Sequence, residues 1–283
     1  MLKMALPSKG ALSEEAIRLI KEAGYQCSPR GREQFVIDAD NEIEFCFIRP
    51  RDIAVYVNSG IFSAGITGRD LALDSKCSYN ELLPLGFGKS SFCYAVPRDS
   101  GVTNSGELEG SRIATSYVSL VEQDLTERGV QADVVRLDGA VEIAVRLGVA
   151  DAVADVVQSG RTLEEAGLRI LEEPVLESEG IFIVPEQKEE LPEGVQKLAN
   201  RIEGVLLARR YMIVEYDIAR TRLNEACAVT PGIESPTVSP LNEEGWVAVK
   251  SMIKRSEVNT VMDELSRIGA KGILVSDVKA CRL

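Results

Sequence analysis

The sequence predicts an α/β protein of two lobes followed by a small βαββαβ domain. Apolar strand-like runs alternate with amphipathic helical stretches at βαβ spacing through most of the 283 residues, which indicates α/β layers around a mainly parallel sheet. A lone apolar strand, Glu179 to Pro185, follows the second such series, as a chain returning to its first lobe requires. From Met212 onward the pattern changes to strand, helix, two strands, helix, strand, the ferredoxin-like order. Hydrophobic residues at 45% and charged residues at 27% are the mixture of a globular chain and exclude collagen-like, disordered and coiled-coil classes.

In chain order, Leu2 to Leu6 is a short strand broken at Pro7-Ser8-Lys9-Gly10, with Ser13 expected to N-cap a helix that Gly24 stops. Glu42 to Ile48 is a strand, and Arg49-Pro50-Arg51-Asp52 opens a helical stretch to Gly60. Around Gly65, Gly68 and Asp70 a compact strand-turn-helix follows. The second series begins near Ser91 and runs strand, helix, strand, with Gly129 and Gly148 as helix stops. After the return strand and an acidic loop, Val195 to Arg209 carries Val195, Leu198, Ile202, Val205 and Leu206 at helical spacing. In the last segment Ser256 is expected to cap a helix closed by Gly269. The predicted organisation is residues 1–90 with 180–211 as lobe I, 91–179 as lobe II and 212–283 as the C-terminal domain.

Net charge is −12, and residues 212–283, with nine basic and ten acidic residues, contribute almost none of it. So acidic a surface repels nucleic acid and anionic membranes, so an anionic ligand must dock in a local pocket. The chain has no histidine. That excludes Ser-His-Asp and Cys-His catalysis, histidine metal ligands and a histidine base. Its six cysteines include no pair two residues apart, so no zinc knuckle or dithiol motif is written, and Cys46 and Cys93 within apolar runs are expected to be buried. With no run near eighteen apolar residues and no signal-peptide core, the expected location is the cytoplasm.

The sharpest local signal is Ala152 to Thr162, an apolar strand with one acidic residue, Asp155, that turns through Ser159-Gly160-Arg161-Thr162 into a helix. Main-chain N–H groups and hydroxyls at such a turn can cradle a phosphate monoester, and Asp155 can accept from sugar hydroxyls. Thr162 and Glu165 equally fit a capping box. Lys9, Arg32, Arg49, Arg69 and Asp70 lie in loops after strands, where anions dock in open α/β sheets, although solvated surface charge has the same signature. Tyr117 can stack on a base or belong to a core.

The runs PSKGAL, FIRPRDIAVYV, AGITGRDL, RIATSY, LDGAVE, GVADAVADVVQSGRTL and PGIESPTVSPL, in this order from Met1 to Leu283, resemble the ATP phosphoribosyltransferase family in its long, self-regulated form. The resemblance implies a type II periplasmic-binding-protein-like pair of catalytic lobes and a βαββαβ regulatory domain that binds histidine. It implies attack of adenine N1 of ATP on C1 of phosphoribosyl pyrophosphate, with Mg²⁺ held mainly by the substrate and no protein metal site. Because N1 carries a lone pair at neutral pH, no histidine base is needed.

Carried over position by position, Gln158, Ser159, Gly160, Arg161 and Thr162 resemble the loop on the donor 5-phosphate. Asp155 and Glu142 resemble the carboxylates near the ribose, and Lys9, Arg32 and Arg49 the catalytic cations on the pyrophosphate. Arg69, Asp70 and Tyr117 match the nucleotide cleft, and Asp217, Ser235, Thr237 and Gly272 the histidine pocket. Val118-Ser119 stands where relatives often have Pro-Asn, Ala11 where some carry arginine, and Gly272 where alanine is common. The family also implies dimers and hexamers, with histidine and AMP as inhibitors. The competing reading is a non-catalytic two-lobe sensor of small molecules, which would need neither a sugar-facing carboxylate nor a phosphate turn.

Overall fold

The computed structural model describes residues 1–31, 33–171, 174–186 and 190–282. Two compact units emerge, one of Met1–Lys21 and Tyr25–Gln196, the other of Glu22–Gly24 and the chain from Lys197 onward.

The first unit contains two sheets. Lobe I is formed by β1 (Leu2–Pro7), α1 (Ala11–Glu22), β2 (Phe35–Asp38), β3 (Ile43–Ile48), α2 (Pro50–Asn58), β4 (Ala64–Gly68), α3 (Arg69–Asp74) and β5 (Tyr79–Pro84). Lobe II is formed by β6 (Ser90–Pro97), β7 (Arg112–Thr115), α4 (Val118–Arg128), β8 (Asp133–Arg136), α5 (Ile143–Arg146), β9 (Ala152–Val157), α6 (Arg161–Glu165), β10 (Leu168–Ile170) and β11 (Leu176–Ser178). The chain returns as β12 (Gly180–Pro185), and α7 (Glu193–Arg210) then runs across the boundary between the two units.

Sheet order reveals the architecture. Lobe I runs β2-β3-β1-β4-β12-β5 and lobe II runs β10-β6-β9-β7-β8. In each lobe three adjacent strands run parallel, and the strand that has just crossed from the other lobe, β12 or β6, inserts antiparallel beside them. This shared order, with a crossing strand completing each sheet, is the two-lobe periplasmic-binding-protein-like arrangement. The mainly parallel sheet expected from sequence is therefore a mixed one. The two crossovers are single extended segments, and a strand arriving straight from the opposite lobe enters without the helical connection that parallel pairing demands.

The crossovers bind each other. Leu85 N–H donates to Gly180 O at 2.9 Å and Gly180 N–H to Phe87 O at 2.8 Å. A Cβ at Gly180 would sit 2.7 Å from the Phe87 ring, so any larger residue there would have to displace that ring.

Each lobe is stabilised by apolar burial. Ile53, Ala54 and Val57 of α2 pack with Ala5, Cys46, Ile181 and Ile183, and Gly65 lets α2 approach β4 closely. In lobe II, Phe92, Tyr94 and Val96 pack with Ile113, Val121 and Leu125. Cys46 and Cys93 are both buried, as small hydrophobes in these cores.

Two expected caps do not form. α1 starts at Ala11, directly after Gly10 at φ +77°, and Ser13 lies on its buried face with its N–H on Gly10 O. Ser256 falls inside a 3-10 turn, Arg255–Glu257, that precedes its helix. A main-chain turn opens each helix where a hydroxyl was expected to do so.

In the second unit, β13 (Tyr211–Ala219), α8 (Leu223–Val229), β14 (Thr237–Pro240), β15 (Trp246–Lys254), α9 (Val258–Arg267) and β16 (Lys271–Asp277) form an antiparallel sheet of order β14-β15-β13-β16. That is the ferredoxin-like order. Val214, Tyr216 and Ile218 alternate inward to meet Val261 and Leu265 of α9. Glu215 and Asp217 consequently point to the helix-free face.

Candidate active site

The site follows from strand direction. Lys9 follows β1, Arg49 and Arg51 follow β3, and Arg69 and Asp70 follow β4, all at carboxyl ends of the parallel strands of lobe I. Tyr117 follows β7, Glu142 follows β8, and residues 158–162 follow β9 in lobe II. Open α/β sheets bind ligands at these ends because crossover loops and unpaired main-chain groups converge there. Across the cleft the two sets meet: the Tyr117 hydroxyl lies beside the Asp70 carboxylate, and Asp155 feels the charges of Glu142, Asp70 and Arg51.

Asp155 sits where β9 passes from a fully buried stretch, Ala152 to Ala154, toward the cleft. Its Oδ1 accepts the Val156 N–H at 2.8 Å. Burial, reinforced by Glu142 and Asp70, pushes its carboxyl above the ordinary value despite that hydrogen bond and Arg51. A carboxylate so placed gains from any ligand that brings hydroxyl donors or positive charge.

The turn after β9 is built on Gly160 at φ +75°, and α6 then starts at Arg161 with no side-chain cap. Of the two sequence readings, the capping box does not form: Thr162 lies within the helix and Glu165 accepts from Arg161 Nε at 2.8 Å. The first-turn N–H groups therefore lack an internal acceptor. Gln158, Ser159, Arg161 and Thr162 are exposed beside them.

Arg49 is exposed at the head of α2 and lines a lobe I cavity of about 580 Å³ with Ser8, Gly31, Glu33, Asp52 and Tyr56. Lys9 is exposed just beyond Ser8, and Arg32 lies outside the described residues. Arg69 is differently placed from an open nucleotide contact. Its guanidinium clamps Glu81 at 3.0 and 2.6 Å and approaches Glu179 at 3.7 Å, at the lobe crossing.

Asp70 is buried, with Ser178 Oγ donating to its Oδ1 at 2.7 Å. Tyr117 packs edge-on to Phe92 and carries the Arg51 guanidinium 4.7 Å from its ring centroid. Burial, then the negative charge of Asp70, pushes its phenol upward, so it stays a neutral hydroxyl beside Asp70. The chain enters α4 at Val118 without Pro-Asn.

Three residues of this network escaped the sequence argument: Arg51, Ser178, and Asp74, whose carboxylate pairs with Arg51. Arg51 had a signal, because a cation in the first turn of a helix opposes the helix dipole and implies an outside partner. Asp74 and Ser178 meet their partners only through the tertiary fold.

In the second unit, Asp217 and Gly272 adjoin, with the glycine's absent Cβ 3.7 Å from Asp217 Oδ2. Ser235 and Thr237 lie at the other edge of the sheet, exposed. Register places Thr237, Lys250 and Glu215 in one row and Ser239, Ala248 and Asp217 in the next, on the helix-free face. The two pairs are thus separated by β15, roughly 10 Å at sheet spacing.

Among the described residues no group of three His, Cys, Asp or Glu is arranged to hold a metal ion, and no helix is long and apolar enough to cross a membrane.

A cleft between facing carboxyl strand ends, cationic on one lobe and acidic with a main-chain turn on the other, defines a two-lobed α/β protein for an anionic sugar-like ligand, with an appended ferredoxin-like module. The family is particular. Residues 49–204 match the model described as HisG, ATP phosphoribosyltransferase, and 208–280 match HisG, C-terminal domain. Similar curated relatives include ATP phosphoribosyltransferase of Salinibacter ruber, 52% identical over 283 residues with both chains covered in full. That of Arthrobacter sp. strain FB24 is likewise 52% identical with both chains fully covered. A solved ATP phosphoribosyl transferase (HisG:HisZ) complex from Thermotoga maritima aligns at TM-score 0.60 and 26% identity over 72% of this chain and 99% of that one. The chain belongs to the ATP phosphoribosyltransferase family, in the form that carries the C-terminal domain.

Proposed function

We propose that this chain condenses ATP with 5-phosphoribosyl 1-pyrophosphate to N1-(5-phosphoribosyl)-ATP and pyrophosphate, the first step of histidine biosynthesis. The observation that carries this reading is Asp155, lifted by burial at the end of a central strand, immediately before an uncapped glycine turn and facing lobe I. Donor hydroxyls would satisfy the carboxylate, and the 5-phosphate would take the N–H groups of 158–162 together with the Ser159 and Thr162 hydroxyls.

The roles divide by lobe. Asp155 and Glu142 receive the ribose hydroxyls. Lys9, Arg32 and Arg49 stabilise the departing pyrophosphate, and Asp70 and Tyr117 orient the nucleotide while Arg69 anchors the frame behind them. Adenine N1 needs no base, so the residues act by alignment and charge. Asp155 and Glu142 repel each other, an arrangement suited to sharing a cation, but they do not form a cage. Mg²⁺ would therefore rest chiefly on the pyrophosphate oxygens, where it neutralises leaving-group charge.

Residues 1–90 with 180–211 serve as catalytic lobe I, 91–179 as lobe II and 212–283 as the regulatory domain. Histidine binds the helix-free face of that domain through Asp217, Ser235, Thr237 and the Gly272 main chain. The spacing of the two pairs is comparable to the reach from an amino-acid carboxylate to a far imidazole nitrogen with a hydrogen bond at each end. AMP competes in the catalytic cleft, and the protein works in the cytoplasm as a homo-oligomer of dimers or hexamers. No observation favours the sensor reading.

The test mixes ATP, phosphoribosyl pyrophosphate and Mg²⁺ and follows the ultraviolet change on purine alkylation, with and without histidine. Absence of product at any substrate concentration would overturn the catalytic reading; equal rates with and without histidine would overturn the regulatory one.

A further inference from the structure

Asp74 is the last residue of α3, and its side chain is only 8% exposed. A carboxylate at a helix C-terminus faces the negative end of the dipole, so its position needs compensation from elsewhere. Two groups supply it. The N–H of Leu120, in the first turn of α4, donates to Asp74 Oδ1 at 3.1 Å, and the Arg51 guanidinium pairs with Oδ2. Tyr117 occupies the N-cap position of α4 but offers it no side-chain cap. A residue of lobe I thus caps a helix of lobe II.

The consequence reaches the cleft. Asp70 and Asp74 stand one helical turn apart on α3, and both face the segment 117–120: the Tyr117 hydroxyl lies beside Asp70, and Leu120 N–H donates to Asp74. Between them Arg51 bridges the two lobes, paired to Asp74 and stacked on Tyr117. Its side chain remains 41% exposed, so the ion pair does not enclose the guanidinium. Without Asp74, Arg51 would lose its ion pair, and the Tyr117 ring would lose the group that holds a cation on its face.

We propose that Asp74 is a positioning residue for the transfer reaction: by capping α4 and holding Arg51 against Tyr117, it sets the nucleotide side of the cleft. The proposal rests on the reading of that cleft as the site of ATP phosphoribosyl transfer. Asp74→Asn keeps an oxygen for Leu120 N–H but removes the charge that holds Arg51, so it separates the two contacts and spares the fold.

The experiment is a double-mutant cycle of Asp74→Asn and Arg51→Ala in the full chain, read as kcat and as KM for each substrate. Asp74→Asn is expected to raise KM for ATP about tenfold, the scale of a charge-assisted hydrogen bond, with KM for the ribosyl donor unchanged. The double variant is expected to be no worse than Arg51→Ala, because the Asn change acts through Arg51. Parental kcat and KM values in Asp74→Asn, equal effects on both substrates, or independent effects in the double variant would each overturn the proposal. If the parent shows no turnover, the catalytic reading fails. The same cycle is then read as ATP affinity by calorimetry, with the same coupling expected and its absence equally decisive.

Discussion

Ser178 donates its hydroxyl to Asp70 Oδ1 at 2.7 Å and accepts the Asp70 main-chain N–H at 3.1 Å, joining the last strand of lobe II to the first turn of α3 in lobe I. Both residues are buried, and the chain crosses between lobes one residue later. Asp70 is thereby fixed in orientation before any nucleotide arrives.

Ser178→Ala removes that buried donor from the Asp70 carboxylate. The expected cost is about 1–3 kcal/mol of stability, with a several-fold rise in KM for ATP. Chemical denaturation and steady-state kinetics on one preparation measure both. An unchanged KM would show that Asp70 orientation does not matter to the nucleotide.

Arg49 is exposed at the cavity of lobe I and has no carboxylate partner among the described residues. Its cation is therefore available to a leaving pyrophosphate, and Arg49→Ala should lower kcat about a hundredfold, the scale of one lost electrostatic contact to a transition state. The melting temperature should stay near that of the parent. Retained turnover would remove Arg49 from the mechanism.

Asp155 provides a pH test. Its carboxyl is raised in the folded state, chiefly by burial. The native protein therefore binds this proton more tightly than the unfolded chain, so the stabilisation is complete below the ordinary carboxylate value of 3.8 and fades as pH rises through the raised one. At neutral pH the ionised group is a cost in the ligand-free protein. Asp155→Asn should melt higher at pH 7, by about 1–3 °C, with the difference shrinking toward pH 3.8, while turnover falls at least about tenfold. A lower melting temperature at pH 7 would contradict the burial argument.

In the regulatory domain, Asp217 stands on the helix-free face beside Gly272. Asp217→Ala should weaken histidine inhibition about tenfold or more while leaving the uninhibited rate within twofold, because the residue lies outside the catalytic unit. Inhibition curves that superimpose on the parent's would relocate the effector pocket.

Much of this protein is local in origin and so legible from the chain itself. The alternation that makes β1, β3, β4, β7 and β9, the glycine stop at 129, the helical spacing of α9 and the absence of histidine depend only on neighbouring residues or on composition. The same is true of the acidic strand end at Asp155 and its glycine turn. What periodicity does not encode is pairing between distant segments. The short edge strands β2, β5, β10 and β11 are half-exposed, so they lack a buried-face pattern. The antiparallel insertion of β6 and β12 is decided by two crossovers that only the folded chain brings together. Arg51, Asp74 and Ser178 acquire their roles in the same way. Each is an ordinary polar residue in sequence, and its partner lies 23 to 108 positions away, so the meaning of its charge or hydroxyl is fixed by geometry that local pattern does not carry.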